Sequence, residues 1–181
     1  MNIYEVQPIF SHPTHPFDLT IDAPGSKSIT NRALMLAALA NGETLLKGAL
    51  FSDDSRHFLQ CLKDLGFDIV VNEPAHTVRV TGLGGRIPKE TAAINVGSAG
   101  TAARVLTAAL GVSEGVFHMD ASEQMRRRPM APLLSSLKEL GCEIVCEGED
   151  CHFPFTLTAH GFGQDHITID IGHSSQFLSA L

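Results

Sequence analysis

Two stretches of this chain are nearly the same stretch. "LKDLGFDIVV" at 62–71 returns as "LKELGCEIVC" at 137–146, and each leads from the end of an amphipathic helix, through a glycine, into an apolar alternating strand. A second likeness runs beside the first. "LTIDAPGSKSITNRALMLAAL" (19–39), "AAINVGSAGTAARVLTAAL" (92–110) and "ITIDIGHSSQFLSAL" (167–181) each carry a short apolar strand into a Gly/Ser-rich turn and then an Ala/Leu-rich helix. One such unit cannot bury its own apolar faces, so the chain is confined to α/β architectures in which repeated strand-helix units pack on one another.

Breakers and periods divide the chain into units of about 17–90 and 91–165, with a shorter one at 166–181. In the first, a strand through Phe17, Leu19 and Ile21 precedes a helix from about Ile29 to Ala40, with Gly42 as its left-handed cap. A second helix, capped by Asp53 and Asp54, carries Phe58, Leu59, Leu62 and Leu65 on one face and stops at Gly66. Strands at 68–72 and 77–81 follow, joined through Glu73, Pro74 and Ala75. The second unit repeats the plan: a strand near Ile94, a helix at 101–110, a strand at 116–119, a helix near 132–140 closed by Gly141, and strands at 143–146 and 155–158. The third has a strand, a turn at Gly172 and a helix from about Ser175 that meets no stop signal before Leu181. It reads as the beginning of a further unit in a longer polypeptide.

A chain of 181 residues with 44% apolar content can build one substantial core or two small linked ones. A formal charge of −7, one Tyr and no Trp argue against a general nucleic-acid surface, so any bound phosphate must be held by local basic groups. No run approaches the roughly 18 apolar residues of a membrane helix, and "MNIYEVQPIF" lacks the basic and apolar regions of a signal peptide. The expected setting is cytoplasmic, without a membrane partner. Cys142, Cys146, Cys151 and His152 invite a metal reading, but no Cys-x-x-Cys knuckle is present. The repeat places Cys142 opposite Phe67 and Cys146 opposite Val71, which makes both core-facing strand residues, and no metal is expected.

"APGSKSITNR" stands where a phosphate loop belongs, yet the position before Lys27, which a nucleotide-binding loop requires as glycine, holds Ser26. The elements that bind an anion remain: a glycine turn, hydroxyls, a Lys and a helix N-terminus. If three equivalent helix N-termini converge, they form a polyanion pocket lined by Ser26, Lys27 and Ser28, by Ser98, Gly100 and Thr101, and by Ser174, Ser175 and Gln176. Arg32 and Arg104, one turn inside their helices, could clamp a phosphate or carboxylate. Each residue also has a structural reading, since Ser and Thr before helices are commonly caps and Lys is commonly solvated. Positive charge at a helix start opposes the dipole, and that favours the anion site. In "MRRRPM" (125–130), read as preceding a helix, Arg126 and Arg127 are assigned to a solvated run and Arg128 to the site.

At these residues the chain resembles the enolpyruvyl transferases, in the branch acting on shikimate-3-phosphate. The matching elements are "PGSKSITNRALMLAALA", "SDDSRH", "VGSAGTAARVL", "RRRPM" and "SSQFLSAL", in the family's order. The resemblance implies an inverse α/β barrel of two domains, with residues 17–181 in the N-terminal substrate-binding domain and 1–16 crossing to the other. It implies transfer of the enolpyruvyl group from phosphoenolpyruvate to the 5-hydroxyl of shikimate-3-phosphate, with release of phosphate and no cofactor. Carried over residue by residue, Lys27, Ser28, Arg32, Ser174, Ser175 and Gln176 contact shikimate-3-phosphate. Lys27, Gly100, Thr101, Arg104, Arg128 and Gln176 hold phosphoenolpyruvate, and Lys27 is the catalytic member. Ser98 stands where the family commonly has Asn, and Val105 where many members have Pro. The family's acidic catalytic residues lie in its other half, so the expected partners are phosphorylated small molecules and a complementary C-terminal domain. Two alternatives are a non-catalytic phosphoanion-binding module, or half of a split protein, and a transferase acting on UDP-N-acetylglucosamine.

Overall fold

The computed structural model describes residues 20, 23–161, 163, 166–172 and 174–181. The strand expected at 17–21, apart from Thr20, and the segment 1–16 lie outside the described residues. The chain runs α1 (Lys27–Leu39), β1 (Asn41–Lys47), α2 (Asp53–Asp64), β2 (Asp68–Asn72), β3 (Thr77–Leu83), then β4 (Thr91–Asn95), α3 (Gly100–Gly111), β5 (Glu114–Asp120), α4 (Glu123–Arg126), α5 (Ala131–Glu139), β6 (Glu143–Cys146), β7 (Phe155–His160) and α6 (Gln176–Ala180).

The repeat in the sequence is a repeat in topology. One sheet has the order β1-β3-β2 and the other β4-β5-β7-β6, so β5-β7-β6 reproduces the first sheet strand for strand, in both cases antiparallel. β4 adds a parallel pairing to β5, from Thr91↔Val116 to Asn95↔Asp120. Each sheet turns one face inward. Val78 and Val80 are buried on β3 while Arg79 between them is exposed, and Phe155, Leu157 and Ala159 are buried on β7.

Helices pack on both sheets, α1 against β3 and α3 against β5 and β7. α3 is buried on nearly every side, along Thr101, Ala102, Ala103, Leu106, Thr107, Ala108, Leu110 and Gly111, as a helix without a polar face must be. α1 turns Leu34, Met35, Ala37 and Ala38 inward, and α2 turns Phe58, Leu59, Cys61 and Leu62. Glycines set the closest approaches. A methyl group at Gly82 of β3 would run into the carbonyl oxygens of Ala37 and Ala40 at the end of α1. One at Gly111 would meet Leu137 of α5 at 2.6 Å.

Several local expectations are corrected. α1 ends at Leu39 with Ala40 already extended, and Gly42, with φ +97°, lies inside β1 and caps nothing. The cap of α2 is Ser52, which forms a capping box with Ser55, so Asp53 and Asp54 sit in the first turn. The arginine run does not precede α5. Arg126 closes α4, where positive charge complements the dipole, and α5 begins after Met130 with Pro132 in its first turn. Residues 166–171 form no strand: Thr168 is held instead by side chains of α5, its carbonyl accepting from Ser136 Oγ at 3.3 Å and its N–H donating to Glu139 at 3.3 Å. Ile167 and Ile169 pack against the core all the same.

The cysteines are structural. Cys142 is buried and donates to the Gly111 carbonyl at 3.0 Å, while Cys146 is partly buried against the core. Burial pushes the Cys61 thiol up to about 12. Thiol reagents attack the thiolate, so Cys61 is expected to stay unlabelled by an aromatic disulfide reagent in the native protein from pH 7 to 9 and to react once urea exposes it. Gly82→Ala is expected to lower unfolding free energy by about 2–3 kcal/mol, read from urea melts, because the methyl group meets backbone that cannot swing aside.

Candidate functional site

The N-terminus of α3 is held from behind and left open in front. Val96 donates to the Asp120 carbonyl, Ser122 to that of Gly97 and Ala99 to that of Val96, at 2.9–3.1 Å. Gly97 has φ +57°, and the His57 ring stands where a β-carbon would be, so any other residue there is strained and displaces that ring. Ser98, the side chain best placed to cap the helix, exchanges a 2.7 Å hydrogen bond with Ser122 instead. The N-cap is Ala99, and α3 has no side-chain cap among the described residues.

Two guanidinium groups converge on that end. A methyl group at Gly100 would stand 3.0 Å from Arg104 Nη1 and 3.2 Å from Arg128 Nη1. Arg104 is buried, donates Nη1 to the Gly100 carbonyl at 2.9 Å, keeps Nε without a partner, and lies 5.0 Å from the centroid of the Phe177 ring. Burial, and then the charge of Arg128, lower its pKa from the ordinary arginine value. Neither arginine forms an ion pair among the described residues. Their neighbours in sequence do: Arg126 makes a bidentate bond to Asp120 at 2.9 and 2.8 Å, and Arg127 pairs with Glu123. Like charges gathered at a positive helix end, with no ion-pair partner among the described residues, are an arrangement able to donate to an anion's oxygen atoms.

The other expected residues are arranged differently. Ser26 caps α1, accepting from Ile29 N at 3.4 Å, and Arg32 reaches back to the Ser28 carbonyl at 3.3 Å. Lys27 is bound by Asp54 of α2 at 2.8 Å, so its charge at the start of α1 is already answered within the chain. Thr101 is buried in the first turn of α3. Ser174 Oγ accepts from Gln176 N at 3.2 Å, Ser175 precedes α6 without a side-chain cap, and Phe177 is buried over Arg104. The structure therefore joins Gly100, Arg104 and Arg128 directly, reaches α6 through Phe177, and ties Lys27 to α2.

Sequence reasoning missed Asp54, read as a cap, and assigned no role to Phe177. It also missed Asn31, which is fully buried with both amide atoms unpartnered among the described residues. No local signal marked Asp54, because it lies on α2, far in sequence from the Lys27 turn that it meets.

Helices packed against two like sheets, with an arginine couple at the start of one of them, make up an α/β fold. The chain belongs to the EPSP synthase (3-phosphoshikimate 1-carboxyvinyltransferase) family, whose model matches residues 12–181. Among curated relatives, the 3-phosphoshikimate 1-carboxyvinyltransferase of Trichormus variabilis is 43% identical over 166 residues, 92% of this chain and 39% of its own length. That of Rhizobium etli is 45% identical over 159 residues, 87% of this chain and 37% of its own. The solved EPSP synthase of Acinetobacter baumannii superposes with a TM-score of 0.78 at 28% identity, over 88% of this chain and 36% of that one. The fold is thus the α/β fold of EPSP synthases. The chain spans about two fifths of the length of the curated relatives it matches.

Gly100→Ala places a methyl group against the flexible ends of two side chains and not against backbone. The expected result is an unchanged fold, with the melting temperature within about 3 °C, and displaced Nε–Hε resonances of Arg104 and Arg128 in an NMR spectrum.

Proposed function

We propose that this chain provides the N-terminal, substrate-binding part of an enzyme that transfers the enolpyruvyl group of phosphoenolpyruvate to the 5-hydroxyl of shikimate-3-phosphate. The observation that carries the reading is the meeting of Arg104 and Arg128 at the uncapped start of α3, in a chain of this family. Phosphoenolpyruvate and shikimate-3-phosphate are both polyanions. Bringing them together demands fixed cations in a site that holds its shape before either arrives.

In this reading Arg104 and Arg128, with Gly100, Thr101 and Gln176, receive phosphoenolpyruvate, and the helix N–H groups add to the positive potential. Ser28, Arg32, Ser174, Ser175 and Gln176 receive shikimate-3-phosphate. Lys27 serves both, its ammonium directed by Asp54. The methylene carbon of phosphoenolpyruvate takes a proton, the 5-hydroxyl of shikimate-3-phosphate adds to the neighbouring carbon as it loses its own proton, and phosphate then leaves with its C–O bond while the methyl carbon gives up a proton to reform the vinyl group. Negative charge builds on the departing phosphate, and the arginines lower its energy there. The proton transfers need an acid–base pair, which we assign to a complementary C-terminal domain. Residues 17–181 make up this domain and 1–16 cross to the other. A cytoplasmic setting accords with a pathway of small soluble metabolites, and no helix among the described residues is long and apolar enough to cross a membrane.

The test is phosphate release from phosphoenolpyruvate plus shikimate-3-phosphate, by the 181-residue chain alone and mixed with a polypeptide covering the remaining length of a curated relative. Turnover is expected only in the mixture, and Arg128→Gln should reduce it at least a hundredfold, in line with loss of one group that stabilises transition-state charge. Phosphoenolpyruvate binding without turnover in any mixture would favour a non-catalytic module. Binding of UDP-N-acetylglucosamine in place of shikimate-3-phosphate would reassign the acceptor.

A further inference from the structure

We propose that Phe177 is a positioning residue: its ring holds the Arg104 guanidinium and, through it, sets α6 against the N-terminus of α3. The inference rests on reading Arg104 and Arg128 as an anion site. Arg104 is buried, its Nε has no partner among the described residues, and its guanidinium faces the Phe177 ring at 5.0 Å. A buried cation needs negative potential nearby. A carboxylate would supply it but would also cancel the charge that an incoming anion must feel. The face of an aromatic ring supplies it through its quadrupole and adds no net charge. Phe177 is thus a support for the cation that leaves the site positive.

The same ring joins two parts of the site. Phe177 follows Gln176, whose N–H is accepted by Ser174 Oγ at 3.2 Å. A ring clamped on Arg104 therefore fixes the Ser174–Gln176 turn relative to Gly100, which Arg104 Nη1 bonds at 2.9 Å. This is a division of labour within one short segment: the turn presents polar groups and the next residue orients an arginine.

The experiment compares Phe177→Leu, which keeps apolar volume and removes the ring face, with Phe177→Tyr, which restores the face. In the wild-type chain the Arg104 Nε–Hε resonance is expected upfield, shifted by the ring current. Leu should return it towards the free-arginine position and weaken phosphoenolpyruvate binding about fivefold, while Tyr keeps both near wild type. An Arg104 resonance and an affinity that Leu leaves unchanged overturn the proposal. Equal losses in Leu and Tyr, tracking a lower melting temperature, also overturn it, by reducing the ring to packing. If the wild-type chain binds no phosphoenolpyruvate, the anion-site reading fails, and the Arg104 resonance alone decides whether the ring positions that arginine.

Discussion

The architecture depends on a helix that hardly touches water. α3 has nine of its twelve residues buried, most of them Ala, Thr and Leu, so it can be enclosed by α1, α2, α5, α6 and the second sheet at close range. Small residues permit this. Gly111 admits Leu137, and the alanines admit the backbones around them. Because the helix is fixed along its length by the core, its first residue is fixed too, and the position of Gly100 does not depend on a surface loop. The site inherits its rigidity from packing some distance behind it. Arg104, in the second turn, is buried for the same reason, and its burial is what makes the company of its guanidinium matter.

Local signals were legible, and signals that depend on tertiary pairing were not. The glycine stops at Gly66 and Gly141, the apolar alternation of β2, β3, β6 and β7, and the Ala/Leu composition of α1 and α3 all act within a few residues, and the structure follows them. β1 was invisible because "NGETLLK" has no clear alternation; its strand character comes from seven partners on β3. The reverse happened at 166–171, where "ITIDI" has the pattern of a strand but its backbone bonds to Ser136 and Glu139 side chains. Pattern proposes a strand, and only a neighbouring strand makes one.

The arginine run shows the same boundary inside the site. Arg126 and Arg127, read as a solvated run, are ion-paired instead, since Glu123 lies four residues before Arg127 and Asp120 ends β5 just ahead. The helix that sorted them was not foreseen. α4 is four residues long, too short for periodicity to declare, and it turned an argument about charge at a helix start into one about charge at a helix end. Likewise the Lys27–Asp54 pair crosses from α1 to α2, and a sequence reader has no means of seeing that Lys27 already has an anion.

That pair also explains why two versions of one unit need not do one job. The first two units each bring basic residues to a helix start, at α1 and at α3, and each must answer positive charge added to the positive end of a dipole. At α1 the answer is Asp54, a full negative charge at 2.8 Å, so that end is close to neutral. At α3 the answer is a carbonyl and a ring face, which steady Arg104 without neutralising it, while Arg128 has no counter-charge among the described residues. The net charge of −7 is therefore a poor guide to the potential at Gly100. With no side-chain cap on α3 and no ion pair for Arg104 or Arg128 among the described residues, that end keeps a positive potential that the overall charge hides. A repeat that places the same backbone twice thus yields two helix starts of different charge, because a compensating carboxylate meets Lys27 and, among the described residues, none meets Arg104 or Arg128.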